Sequence, residues 1–295
     1  MLDFKVPAIE DKDWAEPILK SSGCFGADCA FGTLFIWSDA YDTKICRYEN
    51  FLIKLHGKDQ KYYSFPVGNG DLKTALTLIG QDASERGIPL QFAGLTQKMM
   101  EKIEEFMPDK FSYHPVREIA DYIYNVSDLS ELCGKKYHSK RNHISKFDRL
   151  YEWAYEEISQ ETIASCKEFI NVWFNENSQA KEEGIEKERA AIEKAFSNYD
   201  ELGFKGGMIK VSGEIAALTI GEEINSQVFL THFEKALLSY TGAYTIVNRE
   251  FAKESLSSYQ YVNREEDMGI EGLRKAKMSY HPVILLEKYS AVSKE

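Results

Sequence analysis

Three apolar runs in close succession, Gly206–Val211, Glu214–Ile220 and Gln227–Phe233, constrain this chain more than any other feature of its sequence. Each alternates or fills with β-branched and aromatic side chains, and Ser212–Gly213 leaves only two residues to reverse direction between the first two. So short a loop joins antiparallel neighbours, so the runs are expected to form an antiparallel ribbon. The flanking segments supply its partners. Leu150–Ile158 alternates as a strand, a helix opens at Ser159 or Gln160 and runs through Trp173, and a strongly charged helix spans Ala180–Tyr199. After the ribbon come a helix over Tyr240–Ser255, a strand at Tyr259–Asn263, a helix at Ile270–Met278 and a strand at Pro282–Glu287. Strands and helices interleaved in this way predict an α+β layer fold.

The first part of the chain follows a shorter version of that plan. Lys44–His56 and Lys61–Val67 read as strands joined at Gly57–Gln60, and Asp71 is placed to cap a helix over Leu72–Glu85 that Gly87 ends. Pro89–Gly94 reads as a strand, Gln97–Phe106 as an amphipathic helix stopped by Pro108, and Phe111–Val126 as a strand. A length of 295 residues suits two domains. The boundary is expected near Asn125–Asp128, giving domains over residues 1–126 and 127–295, the second carrying the site.

Charge narrows the range of partners. The formal net charge is −11 and the pI about 5.2, which argues against wholesale electrostatic binding to nucleic acid and against DNA as a partner, while leaving room for a local basic site. Met1–Trp14 is acidic and lacks an apolar core, and the longest apolar stretch, around Phe31–Trp37, is too short to cross a bilayer. The expectation is a cytoplasmic protein without an integral membrane segment. The five cysteines, Cys24, Cys29, Cys46, Cys133 and Cys166, have no spacing that suggests a metal site and are read as reduced, mostly buried thiols.

Against this acidic background one segment is basic. Lys135, Lys136, Lys140, Arg141, Lys146 and Arg149 fall within fifteen residues, with Tyr137, His138 and His143 among them and Asp148 the only acid. Such a segment suits phosphates of a tRNA acceptor stem, a CoA or a lipid headgroup; the plain alternative is a solvated helix face. A second segment is Asn263–Tyr280. With Ile270–Met278 helical, Arg274 and Lys277 share a face, and Asp267 is placed to cap the helix. Paired cations there suit a carbonyl oxygen, a phosphate or an anion developing during attack on an ester, or else simply pair with Glu265, Glu266 or Glu271. Tyr280 is a hydrogen-bond donor or general acid on one reading and a core tyrosine on the other. His232, in an alternating strand, reads as a satisfied structural histidine.

The order of elements after Leu150 resembles the Gcn5-related N-acetyltransferase fold. Asp121–Phe147 and Tyr261–Val283 together resemble the phosphatidylglycerol lysyltransferase C-terminal family, related to the Fem peptidyltransferases. That resemblance implies two acetyltransferase-like domains in tandem, with mixed sheets flanked by helices. It also implies transfer of an aminoacyl group from aminoacyl-tRNA to a lipid, peptide or small-molecule acceptor, without a cofactor or metal. On that reading Arg274 and Lys277 serve the anionic centre and Asp267 holds their loop. Lys140 and Arg141 hold nucleic-acid phosphate, and Asn263, Arg264 and Tyr280 bind substrate. A CoA-dependent N-acyltransferase and a non-catalytic binding module on the same fold are the alternatives. Acyl-CoA users present Gln or Arg, two residues, Gly, one residue, then Gly or Ala before the helix that cradles pyrophosphate. Leu237–Glu250 has Gly242 and Ala243 but lacks the leading residue and full spacing, which counts against CoA.

Overall fold

The computed structural model describes residues 1–177 and 183–294. The chain divides into two compact units, one of Met1–Asp121, Glu265–Arg274 and Leu285–Glu295, the other of Tyr122–Arg264 and Lys275–Ile284. The first crossing lies within five residues of the expected boundary at 126/127. The two later returns were not expected: the C-terminal segment is shared out between the units rather than belonging to the second.

The sheet of the first unit runs in the order Lys44–Tyr48, Phe51–His56, Tyr62–Tyr63, Gln91–Leu95, Tyr289–Ser293, Phe111–Pro115, with Val67–Gly68 also paired to Phe51–His56. Tyr63 pairs parallel to Phe92 and the other pairings are antiparallel, so the sheet is mixed. Helix Leu72–Arg86 starts where expected, the Asp71 side chain accepting from the Thr74 N–H, and ends at Gly87 in the left-handed conformation. Leu76 and Ile79 of this helix and Ile103 of helix Gln97–Phe106 are buried with Phe51, Ile53, Phe92 and Phe111 of the sheet. Three readings change here. Lys44–His56 is a hairpin, not one strand, because Glu49 takes a positive φ and turns the chain at Glu49–Asn50. Phe111–Val126 is also two strands, Phe111–Pro115 and Asp121–Asn125, in different sheets, parted by the helical turn Arg117–Ile119. Cys24 and Cys29 are joined in a disulfide, whereas Cys46 and Cys166 are buried free thiols and Cys133 is exposed.

The second sheet runs Ile284–Leu286, Asp121–Asn125, Tyr261–Asn263, Val228–Ala236, Glu214–Asn225, Lys205–Val211, Trp153–Glu157. Its middle is the expected antiparallel ribbon, and Tyr261–Asn263 adds in parallel to Val228–Leu230. Helix Ala243–Glu254 packs on strands Lys205–Val211 and Glu214–Asn225 and against helix Val126–Glu131. The basic segment forms a helical turn at Lys135–Tyr137 and helix His138–Leu150, which buries Ile144 and Phe147. The charged helix is described over Glu183–Ser197, and the beginning of the expected Ala180–Tyr199 helix lies outside the described residues. Two mixed sheets flanked by helices are the α+β architecture expected.

Candidate functional site

In the second unit, side chains from four separate stretches gather around Arg264 and the ring of Tyr280. The short strand Tyr261–Asn263 delivers Arg264, whose backbone N–H donates to the Tyr122 carbonyl at 2.9 Å. Its guanidinium lies 4.9 Å from the Tyr280 ring centre and 5.7 Å from that of Tyr124. Strand Val228–Ala236 brings Glu234, which accepts from Arg264 Nη2 at 2.8 Å and from Asn248 Nδ2 at 3.1 Å. Helix His138–Leu150 brings Lys140, with Nζ 3.7 Å from the Tyr280 ring centre. Helix Glu271–Met278 brings Lys277, whose Nζ donates to the Arg264 carbonyl at 2.5 Å. Tyr124 and Tyr137 brace the arrangement from below, donating to the carbonyls of Lys277 at 2.8 Å and Tyr280 at 2.9 Å.

Two cations, Arg264 and Lys140, therefore stand against one tyrosine ring, Lys277 is bonded to the Arg264 carbonyl, and the Glu234 carboxylate is bonded to the guanidinium. Arg264 is only 12% exposed, and its Nη1 has no hydrogen-bond partner. A buried guanidinium N–H without a partner is costly, a cost that an acceptor oxygen at that position would relieve. Lys140 makes no ion pair or hydrogen bond among the described residues, only the ring contact. Burial and then the Arg264 charge push its ammonium down to about 8. Burial pushes the Tyr280 phenol up to about 12, so Tyr280 keeps its proton at neutral pH. The group presents a fixed cation, a lysine able to exchange a proton near neutrality, and a protonated phenol.

The remaining sequence-predicted residues lie elsewhere. Asp267, fully buried in the first unit, accepts two hydrogen bonds from Arg274, at 2.8 and 2.9 Å, one from Arg117 at 3.0 Å and one from the Gly269 N–H at 2.9 Å. Arg274 and Lys277 are three residues apart on one helix, as expected, but the first is bonded to Asp267 and the second to the Arg264 carbonyl. Arg141 donates to the carbonyls of Leu132 and Gly134, at 2.5 and 2.8 Å, closing the end of helix Val126–Glu131. Asn263 is fully buried in its strand. His232 is buried against Glu222 at 2.9 Å, as its setting in the strand suggested. Sequence reading missed Glu234, Asn248 and Tyr124. His232 lies at an irregularity of the strand register, between Thr231 and Phe233, so counting by twos from it gives no signal for Glu234.

Helix His138–Leu150 packs closely against Gly242 at the start of helix Ala243–Glu254. A Cβ on Gly242 would lie 3.1 Å from the His143 carbonyl oxygen and 3.6 Å from Phe147, and Gly242 itself has φ +100°. Helix His138–Leu150 thus lies beside the start of the helix whose N–H groups cradle pyrophosphate in acyl-CoA users. On its outer side the same helix and the turn before it leave Lys135, Lys136, His138, His143, Lys146 and Arg149 exposed.

Comparison with known proteins assigns this architecture to a class. Residues 23–292 match the family model "Phosphatidylglycerol lysyltransferase, C-terminal", and the chain belongs to that family. A crystal structure of a conserved protein of unknown function from Bacteroides thetaiotaomicron is 40% identical, with each chain covered in full and a TM-score of 0.95. L-PGS from Bacillus licheniformis is 16% identical over 96% of this chain and 91% of that one, with a TM-score of 0.67. FemX is 8% identical over 98% and 97%, with a TM-score of 0.60. An uncharacterized protein of Mycoplasmoides gallisepticum is 22% identical over 63% of this chain, which spans about 60% of that relative's length. The fold is the tandem acetyltransferase-like fold shared with the Fem transferases, and the protein is acyltransferase-like. Among the described residues no helix is long and apolar enough to cross a membrane.

Proposed function

We propose that the protein transfers an aminoacyl group from aminoacyl-tRNA to an amine or hydroxyl of a lipid, peptide or small-molecule acceptor, with the Tyr280 cluster as its centre. The observation that carries this reading is the buried Arg264 Nη1, without a hydrogen-bond partner beside an unpaired Lys140. Attack of the acceptor on the ester carbonyl develops negative charge on oxygen, and a preorganised buried guanidinium stabilises that charge more than it stabilises the neutral ester. Lys140, in its neutral form, accepts the proton of the attacking group and returns it to the ribose oxygen as the ester C–O bond breaks. A new amide or ester bond replaces the old one, and no covalent enzyme intermediate is required.

Lys277 holds the carbonyl of Arg264 and so positions the guanidinium, while Asp267, Arg117 and Arg274 hold the loop that follows. The exposed cations of the basic segment suit the phosphates of an acceptor stem, and Lys140 links that surface to the buried group through one helix. The close packing of helix His138–Leu150 on Gly242, together with the incomplete loop pattern before the helix, supports tRNA over CoA as donor.

The test is incubation with a pool of labelled aminoacyl-tRNAs, following loss of the ester bond and label in lipid, peptide and small-molecule fractions, with acetyl-CoA as a parallel donor. Label moved from tRNA by the wild type and not by Lys140→Ala supports the proposal. Transfer from acetyl-CoA alone establishes the CoA-dependent reading, and tRNA binding without transfer establishes a binding module.

A further inference from the structure

The first unit holds a small cavity of about 10 Å³, room for one water, walled by Cys24, Cys29, Asp28, Lys54 and Lys288 among others. One wall is the loop Cys24–Cys29, closed on itself by the disulfide, with Cα atoms 6.2 Å apart. The loop is tied to the interior at three points. The Ala27 N–H donates to Asp121 Oδ2 at 2.8 Å, Lys54 Nζ donates to the Asp28 carbonyl at 2.8 Å, and Lys288 Nζ donates to Asp28 Oδ1 at 3.1 Å. Lys54 and Lys288 are buried, while the Asp28 side chain is 42% exposed, so this loop forms one wall between the two amines and solvent.

The two sulfurs are unequal. Cys24 is partly exposed and follows the exposed turn Ser21–Gly23, whereas Cys29 is 3% exposed and begins the buried run that continues into helix Phe31–Ile36. A thiolate arriving from solvent reaches Cys24 first. Cys29 then leaves beside a cavity lined by Lys54, Lys288 and the Asp28 carboxylate; Lys288 is bonded to Asp28 and Asp121, and Lys54 is the ammonium that favours a thiolate there.

We propose that Cys24 and Cys29 form a reversible latch over this cavity, opened by a low-molecular-weight thiol and closed by the corresponding disulfide. The thiolate attacks Cys24 Sγ, the S–S bond breaks, and its electron pair leaves on Cys29. A second thiol releases the mixed disulfide at Cys24, so two small thiols are oxidised to one disulfide while the protein gains two thiols and the two protons. Opening removes the covalent tie between the ends of the loop and gives solvent access to Lys54, whose ammonium burial has pushed down to about 8. The feature is independent of the Tyr280 cluster and of the transfer reaction.

The experiment equilibrates the folded full-length chain with oxidised or reduced glutathione. Thiols are then alkylated with iodoacetamide and amines acetylated with an N-hydroxysuccinimide ester, and peptides are read by mass spectrometry. In oxidised glutathione the Cys24 and Cys29 peptides are expected to be linked and unalkylated. In reduced glutathione both are expected to alkylate, with Cys46 and Cys166 still protected as a check that the fold is intact, and acetylation of Lys54 to rise at least fivefold. The Cys24→Ser variant is expected to show the high Lys54 labelling in both buffers. Alkylation of Cys24 and Cys29 in oxidised glutathione, a bond that resists reduced glutathione in the folded protein, or equal Lys54 labelling in both states overturns the proposal.

Discussion

Lys288 in the first unit and Lys140 in the second are both withdrawn from water, and their neighbours use them in opposite ways. Lys288 Nζ lies 2.8 Å from Asp121 and 3.1 Å from Asp28. Burial works against its charge, but the two carboxylates outweigh that and hold the ammonium above the ordinary lysine range. Lys140 has no carboxylate partner among the described residues, and burial together with Arg264 pushes it down. Burial acts with the same sign in both cases, so the carboxylates decide whether a buried lysine becomes part of the scaffold or available for proton transfer.

The largest expected effect tests the scaffold side. Lys288→Met leaves fully buried Asp121 without its cation and is expected to cost about 3–5 kcal/mol, read from urea denaturation midpoints. Lys140→Met should cost less than about 1 kcal/mol, because it leaves no buried charge unpaired. Equal costs for the two would break the comparison.

Next comes the chemistry. Arg264→Gln keeps a donor but loses the fixed charge, and transfer is expected to slow by about 10²–10³-fold, or roughly 3–4 kcal/mol of barrier. Lys140→Ala should slow it about 10²-fold, the lower end for a proton-transfer group, with little change in stability. A pH series sharpens this. Since the neutral amine is the active form, the wild-type rate should rise as pH passes through about 8, and that component of the profile should vanish in Lys140→Ala. Stability follows the same group. Its folded value lies below the ordinary value of 10.5, so the unfolded chain binds more protons between about 8 and 10.5. Wild-type stability should therefore gain on the variant across that window.

Much of the fold is local and was legible. The ribbon declares itself through alternation and the Ser212–Gly213 turn, and helix Leu72–Arg86 through Asp71 and Gly87. Strand Tyr289–Ser293 was not legible. Nothing in its five residues indicates that they pair with Gln91–Leu95 and Phe111–Pro115, more than 170 positions earlier. The site divides in the same way. Helical spacing put Arg274 and Lys277 on one face, but periodicity is blind to the tertiary partner each cation meets. Arg264 and Tyr280 were picked out by their neighbourhood, while Glu234 and Asn248, which lock the guanidinium, come from a strand and a helix that only the folded chain brings near.

The smallest expected effect is the most discriminating. Arg274 is 36% exposed and gives two hydrogen bonds to Asp267, which also keeps Arg117 and the Gly269 N–H. Arg274→Ala therefore leaves the buried carboxylate with a cation and a backbone donor. The loss of a charge-assisted bond that has a substitute at hand is expected to cost about 1 kcal/mol in stability. Transfer should stay within about threefold of wild type, because Arg274 holds the loop and not the reacting oxygen. If instead the rate falls as far as in Arg264→Gln while the denaturation midpoint stays near wild type, the anionic centre belongs to the face that Arg274 shares with Lys277. The Tyr280 cluster would then be the scaffold and the Asp267 loop the working part, reversing the roles assigned to the two.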